Sequence, residues 1–90
     1  DEGYDAASLC ADLTIATLLT ISDIKKLIPV NVIGFVNSSP DFRDQPNVLN
    51  GFTDKLDEFF SEKPTRSAVG VSSLPLNVCV EVQAVFYINE

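Results

Sequence analysis

Arg66-Ser-Ala-Val-Gly-Val-Ser-Ser-Leu-Pro-Leu-Asn-Val-Cys-Val-Glu-Val-Gln-Ala-Val-Phe-Tyr-Ile88 is the stretch whose reading decides the fold. It reads as two β runs, 66–72 and 78–88, divided by the Leu74-Pro75 turn. The second run alternates. Val78, Val80, Val82, Ala84, Phe86 and Ile88 share one face, and Cys79, Glu81, Gln83, Val85 and Tyr87 share the other. The first face is expected under helices. The second, mixed face must meet a cleft or another subunit. Arg66 opens the first run and Glu81 sits inside the second. A charge in an apolar β run costs free energy unless it is paired or used. Two opposite charges on successive strands point to a site for something small and anionic. The plain alternatives are a surface arginine at the start of a strand and, for Glu81, a salt bridge between subunits.

Upstream of that stretch, Val48, Leu49, Phe52, Leu56, Phe59 and Phe60 recur at helical spacing and predict a helix over 48–62. Before it, Val30-Asn-Val-Ile-Gly-Phe-Val36 is nearly continuous β-branched and aromatic sequence, with Pro29 marking its start. Such a run is expected of a strand covered on both faces. Ala6, Leu9, Cys10, Leu13, Ala16 and Leu19 predict a first helix over 4–20. Asp1, Glu2 and Asp5 crowd its N-terminal end, where the helix dipole favours them. Ile24 to Ile28 adds a short helical piece. The order is α-β-α-β-β. A helix crossing between runs 30–36 and 66–72 makes them parallel neighbours. The expected sheet order is 78–88, 30–36, 66–72, with the last run antiparallel to the others. A simple hairpin of 66–72 with 78–88 is the alternative.

Ninety residues make one domain, 1–90, and a chain this short is marginal alone and often oligomeric. Its 46% hydrophobic content is ample for a core. The net charge of −7, with six Lys and Arg, disfavours general nucleic-acid binding, which relies on a basic footprint. No apolar segment is long enough to span a membrane. Cys10 and Cys79 lack zinc or redox-motif spacing and sit in apolar runs, which fits a reduced, cytoplasmic protein. With no His in the chain, a Ser-His or Cys-His nucleophile pair is excluded within it. No carboxylate cluster has metal-ligand spacing and no glycine-rich phosphate loop appears.

The motifs Arg66-Ser67, Val69-x-Val71, Leu74-Pro75 and Val80-Glu81-Val82 together resemble the C-terminal signature of the RidA/YjgF family. These are the reactive-intermediate deaminases, also known as endoribonuclease L-PSP. Gly3-Tyr4-Asp5-Ala6-Ala7 with Leu9-Cys10 is similar to the first-helix start of a longer-loop subgroup. Gly34-Phe35-Val36-Asn37-Ser38, Pro40-Asp41-Phe42, Asp44-Gln45-Pro46 and Val48-Leu49-Asn50-Gly51 resemble its middle. The resemblance implies an α+β, chorismate-mutase-like two-layer sandwich, a mixed sheet with two helices on one face. This chain would cover its α-β-α-β-β part, with the N-terminal strands missing.

The resemblance also implies a reaction, the hydrolytic deamination of 2-imino or 2-enamino acids to 2-keto acids and ammonia, for which no metal or cofactor is expected because an imine carbon is already electrophilic. The site would be an inter-subunit cleft of a homotrimer. Arg66 would bind the substrate carboxylate, and Glu81 would order or activate a water. Asn50, or else Asn47, would add a polar contact from the second helix, a helix-start cap being the plain alternative. Gln83 stands where many members carry a second acid. The expected partners are a small carboxylic acid and further copies of the chain, with no nucleic acid and no membrane. From other function classes, the rivals are a carboxylate-binding module without turnover and an inactive fragment that keeps only the trimer interface.

Overall fold

In the computed structural model, which describes residues 1–90, two helices pack on one face of a three-stranded sheet. Helix α1 is Glu2–Leu18, strand β1 Leu27–Asn37, helix α2 Gln45–Asp57, strand β2 Thr65–Val71 and strand β3 Val80–Ile88. Short 3-10 turns occupy Ile24–Lys26 and Pro75–Asn77.

The sheet order is β2-β1-β3, with β1 parallel to β2 and antiparallel to β3. Val82 pairs with Gly34 and Val80 with Val36, so the hairpin alternative does not form. The connection through α2 accounts for the parallel pair, since parallel neighbours need a crossover. The architecture is the expected α+β two-layer sandwich.

Strand β1 begins at Leu27, earlier than the sequence pattern predicts, and Pro29 lies inside it. The register shifts between Pro29 and Asn31, leaving Val30 as a bulge. A bulge is where a strand tolerates a residue with no N–H to give. Only one face of β1 is sealed within the chain. Leu27, Val32 and Val36 are buried beneath the helices, whereas Ile33 and Phe35 are half-exposed on the other side. Within one chain only the first of the two expected covers is present, the single helical layer, and the second face lies open. β3 keeps the expected alternation: Val80 is buried, Val82, Ala84 and Phe86 are partly buried, and Glu81, Gln83, Val85 and Tyr87 are exposed. Val78 lies before the strand and is exposed.

Helix α2 starts three residues before the predicted 48 and ends at Asp57, not at 62. Pro46 sits in its first turn, where a missing N–H costs nothing. Asp44 is the N-cap residue, so neither Asn47 nor Asn50 caps the helix. Beyond the helix, Phe60 turns inward to pack on Phe86 with ring centroids 5.6 Å apart, and Phe59 stays exposed.

Helix α1 is capped by Asp1, whose Oδ1 accepts from the Tyr4 N–H at 2.7 Å. Its buried stripe differs from the predicted one. Ala7, Ala11 and Ile15 are sealed, while Leu9 and Leu13 are 58% and 61% exposed. The reason is a close crossing with α2. A Cβ on Gly51 would lie 2.9 Å from the carbonyl carbon of Tyr4, with the Tyr4 oxygen nearer still. Helices this close admit alanine and glycine between them and push larger side chains aside. The two helices and β1 enclose Phe52, Leu49, Leu56 and Val32, the largest fully buried side chains.

Candidate functional site

Arg66 is the second residue of β2 and pairs with Val32 of β1. Val32 points into the helical layer, so alternation sends the Arg66 side chain the same way. It reaches α2 along the helix's first three turns. Its Nη1 donates to Oδ1 of Asn50 at 2.8 Å and to Oγ1 of Thr53 at 2.9 Å. Its Nη2 donates to the Pro46 carbonyl at 3.2 Å. Pro46, Asn50 and Thr53 are spaced four and three residues apart, which places them on one helix face.

All three acceptors are neutral. The ion pairs of the chain join Lys55 to Asp12 and Glu58, and Lys63 to Asp57, and none includes Arg66. A guanidinium carries five N–H donors in a planar fork. Asn50, Thr53 and Pro46 take three, leaving Nε–H and one Nη2 proton on adjacent nitrogens. That pair of donors is what a carboxylate engages with two oxygens.

The other site residues named from sequence fall differently. Asn47 turns away from Arg66 and donates from Nδ2 to Asp1 Oδ2 at 3.3 Å. Glu81 pairs with Phe35, on the face opposite the helices, and is exposed. Arg66 and Glu81 also occupy the two edge strands. Two strand spacings and three residues of register put their backbones on the order of 14 Å apart, with the sheet between their side chains. One chain therefore does not bring the two together. Thr53 and the Pro46 carbonyl were not foreseen. Their one sequence signal is the spacing of 46 and 53 about Asn50.

No cavity within one chain is lined by Arg66, Asn50 or Glu81. The largest, about 540 Å³, lies between the start of α1 and the end of β1, against Asp1, Val36, Val48 and Cys79. Two groups away from Arg66 have shifted acidities. The Tyr4 hydroxyl donates to Asp54 Oδ2 at 2.8 Å, and that bond to a carboxylate pushes its pKa above the ordinary value. Burial does the same to the Cys10 thiol.

The endoribonuclease L-PSP family model matches residues 13–88. The chain belongs to this family, the RidA/YjgF superfamily. Among curated proteins it is similar to Protein TCP17 of Trypanosoma cruzi, 39% identical over 95 residues. That match covers 98% of this chain and 58% of the relative. Among solved structures it is similar to Atu1372 of Agrobacterium tumefaciens, a protein of unknown function, with a TM-score of 0.87 and 33% identity over 98% of this chain. A putative endoribonuclease from Shewanella oneidensis superposes with a TM-score of 0.85 at 26% identity over 97% of this chain. This chain covers 60% of each of those two. It thus spans about three fifths of the length of the relatives it matches. The RidA/YjgF fold accounts for the two-layer arrangement and for the order of the sheet.

Proposed function

We propose that this RidA-like chain hydrolyses reactive 2-imino and 2-enamino acids to 2-keto acids, releasing ammonia, in a cytoplasmic homotrimer. The observation that carries the reading is Arg66, a guanidinium held by three neutral acceptors with two donors left over. Arg66 grips the substrate carboxylate, and Asn50 holds the guanidinium from α2. The imine carbon is already electrophilic, so water adds to it. Glu81 orders that water. An enamino acid reacts as its imine tautomer. As the C–O bond forms, Glu81 takes one proton from the water and returns it to the imine nitrogen. The hydroxyl proton of the resulting carbinolamine then passes by way of Glu81 to the same nitrogen as the C–N bond breaks and the carbonyl forms. The products are the keto acid and ammonia.

Arg66 and Glu81 lie across the sheet from each other, so the Glu81 in any one site belongs to a second copy. The open sheet face supports this arrangement. Ile33 and Phe35 of β1, Val69 of β2, and Val85 and Tyr87 of β3 form an apolar surface around Glu81, too broad to leave in water. Trimer formation covers it and creates the cleft that a single chain lacks.

The distance between Arg66 and Glu81 also favours a second reading. With only the arginine clamp complete in one chain, the protein binds small carboxylates without turning them over. Ammonia release from 2-aminoacrylate generated in situ, measured above the spontaneous rate, separates the two. Turnover that Arg66→Lys abolishes, with folding intact, supports the enzyme, because lysine cannot reproduce the fork. Keto-acid binding without turnover supports the binding module. Near-normal turnover by Arg66→Lys refutes the clamp in either reading.

A further inference from the structure

We propose that Thr53 is a positioning residue, whose hydroxyl sets the plane of the Arg66 guanidinium and so aims its two spare donors at a ligand carboxylate. The inference rests on the reading of Arg66 as a carboxylate clamp and adds to it the group that fixes the clamp's direction.

The argument begins with the freedom of an arginine. Its long side chain carries much rotamer entropy. An exposed arginine on an edge strand would spread over many rotamers and would lose that freedom on binding an anion. Arg66 is exposed and on an edge strand, yet three contacts from α2 hold its head. The contacts differ in what they constrain. Pro46 offers a backbone carbonyl at 3.2 Å, the longest of the three. Asn50 offers a side-chain oxygen at 2.8 Å, and with only the longer Pro46 bond beside it the guanidinium would be held by one short contact. Thr53 takes the second bond to the same Nη1, at 2.9 Å. Two acceptors on one planar nitrogen define the plane of the group.

Thr53 is suited to the task. It is half-buried, and the bond of its Oγ1 to the carbonyl four residues back selects one of the two χ1 rotamers a helical threonine takes. Its hydroxyl proton faces the Leu49 carbonyl at 3.5 Å, a long bond that still turns the oxygen's lone pairs towards Arg66. The hydroxyl thus accepts from the cation and does not compete with it as a donor. With Nη1 saturated and one Nη2 proton on Pro46, Nε–H and the other Nη2 proton are left on adjacent nitrogens. Preorganisation of this kind raises affinity by removing an ordering cost from the binding step.

The test uses Thr53→Val, which keeps the shape and removes the acceptor, and Thr53→Ser, which restores the hydroxyl. 2-Ketobutyrate and its amide, 2-ketobutyramide, are the probes, with binding read by calorimetry on the full chain. Thr53→Val is expected to weaken 2-ketobutyrate binding about five- to tenfold, the cost of ordering one rotamer-rich side chain at the binding step. The amide, which has no carboxylate to aim at, changes less than twofold. Thr53→Ser recovers most of the affinity. In the free protein, the Arg66 side-chain Nη signals are resolved at low temperature and collapse by faster rotation in Thr53→Val. A merely structural role would weaken both probes alike and leave the Nη signals untouched, and either result overturns the inference. Arg66→Ala separates it from the reading beneath. If Arg66→Ala abolishes 2-ketobutyrate binding while Thr53→Val binds normally, the clamp stands and the role of Thr53 falls. If the unaltered protein fails to bind 2-ketobutyrate, or Arg66→Ala binds it normally, both fall.

Discussion

Alanine in place of Gly51 tests the helix crossing on which the core depends. In an exposed helix interior the change would stabilise by about 1 kcal/mol, because glycine is the poorer helix former. Here the new Cβ would meet the carbonyl carbon of Tyr4 at 2.9 Å and its Cα at 3.1 Å, with the Tyr4 oxygen closer still. These are backbone atoms of α1, which no rotamer change can move. Carbon atoms rest about 3.5 Å or more apart, so the helices must separate by at least about 0.5 Å. Such a gap forfeits a quarter or more of the dispersion energy along the seam lined by Ala7, Ala11, Val48 and Phe52. Overpacking of this kind costs about 1–3 kcal/mol, and the upper end applies where backbone meets backbone. After the gain in propensity, Gly51→Ala should destabilise by about 2 kcal/mol. At about 4–8 °C per kcal/mol for a domain of this size, the Tm falls by about 8–16 °C. Thermal unfolding followed by far-UV circular dichroism reads this directly. Gly3→Ala is the control, since its nearest neighbour is the Val48 Cγ2 at 3.0 Å, a side-chain end that can yield. Its Tm should change far less. An unchanged or raised Tm for Gly51→Ala would refute the close crossing.

Leu76 is 96% exposed with φ of 59°, a left-handed conformation, and Leu76→Gly should raise stability by about 1 kcal/mol in chemical denaturation. Leu13→Glu should alter stability by no more than about 0.5 kcal/mol, because this leucine faces solvent; a large loss would show that the helix buries its leucine stripe after all. Cys79 should react with iodoacetamide well before Cys10, as peptide mapping after a short pulse will show. Burial raises the Cys10 pKa above 9.0, so the stability it contributes is complete below the unfolded thiol's pKa and is lost as pH rises through the folded value. Val85→Asp, in the apolar surface around Glu81, should reduce the assembly to monomers in light scattering at micromolar concentration while helix content is kept; an intact trimer would place the interface elsewhere.

The sheet was legible in the sequence because its signals are local and redundant. The continuous apolar run at 30–36 marks the central strand, and the alternation from Val80 to Ile88 marks which side meets the helices. The orientation of α1 was not legible. Leu9 and Leu13 outweigh Ala7 and Ala11 in any count of hydrophobicity, yet the helix turns its alanines inward. That choice is made by Gly51 forty residues away, and no window along α1 contains it. The length of α2 misled for a related reason. Phe59 and Phe60 continue the apolar spacing of the helix, but Phe60 is buried by Phe86 after the helix has ended. At the site, the family motif drew attention to Arg66, Glu81 and Asn50. The spatial link between Arg66 and Asn50 is a tertiary hydrogen bond across the layers. Thr53 carried no motif at all, since a threonine in a helix has many ordinary uses.

Placing Arg66 and Glu81 on opposite sides of the sheet has a genetic consequence. For both to meet one small molecule, each must come from a different chain. Under the proposed deamination, a chain lacking Arg66 and a chain lacking Glu81 should then each be inert, and their mixture should not be. Wherever a chain that keeps Arg66 sits beside one that keeps Glu81 in the right rotational sense, a complete site returns. Coexpressed Arg66→Ala and Glu81→Gln chains should regain a fraction of activity set by the statistics of mixing. Dilution below the assembly threshold should extinguish the native protein's activity more steeply than in proportion to its concentration.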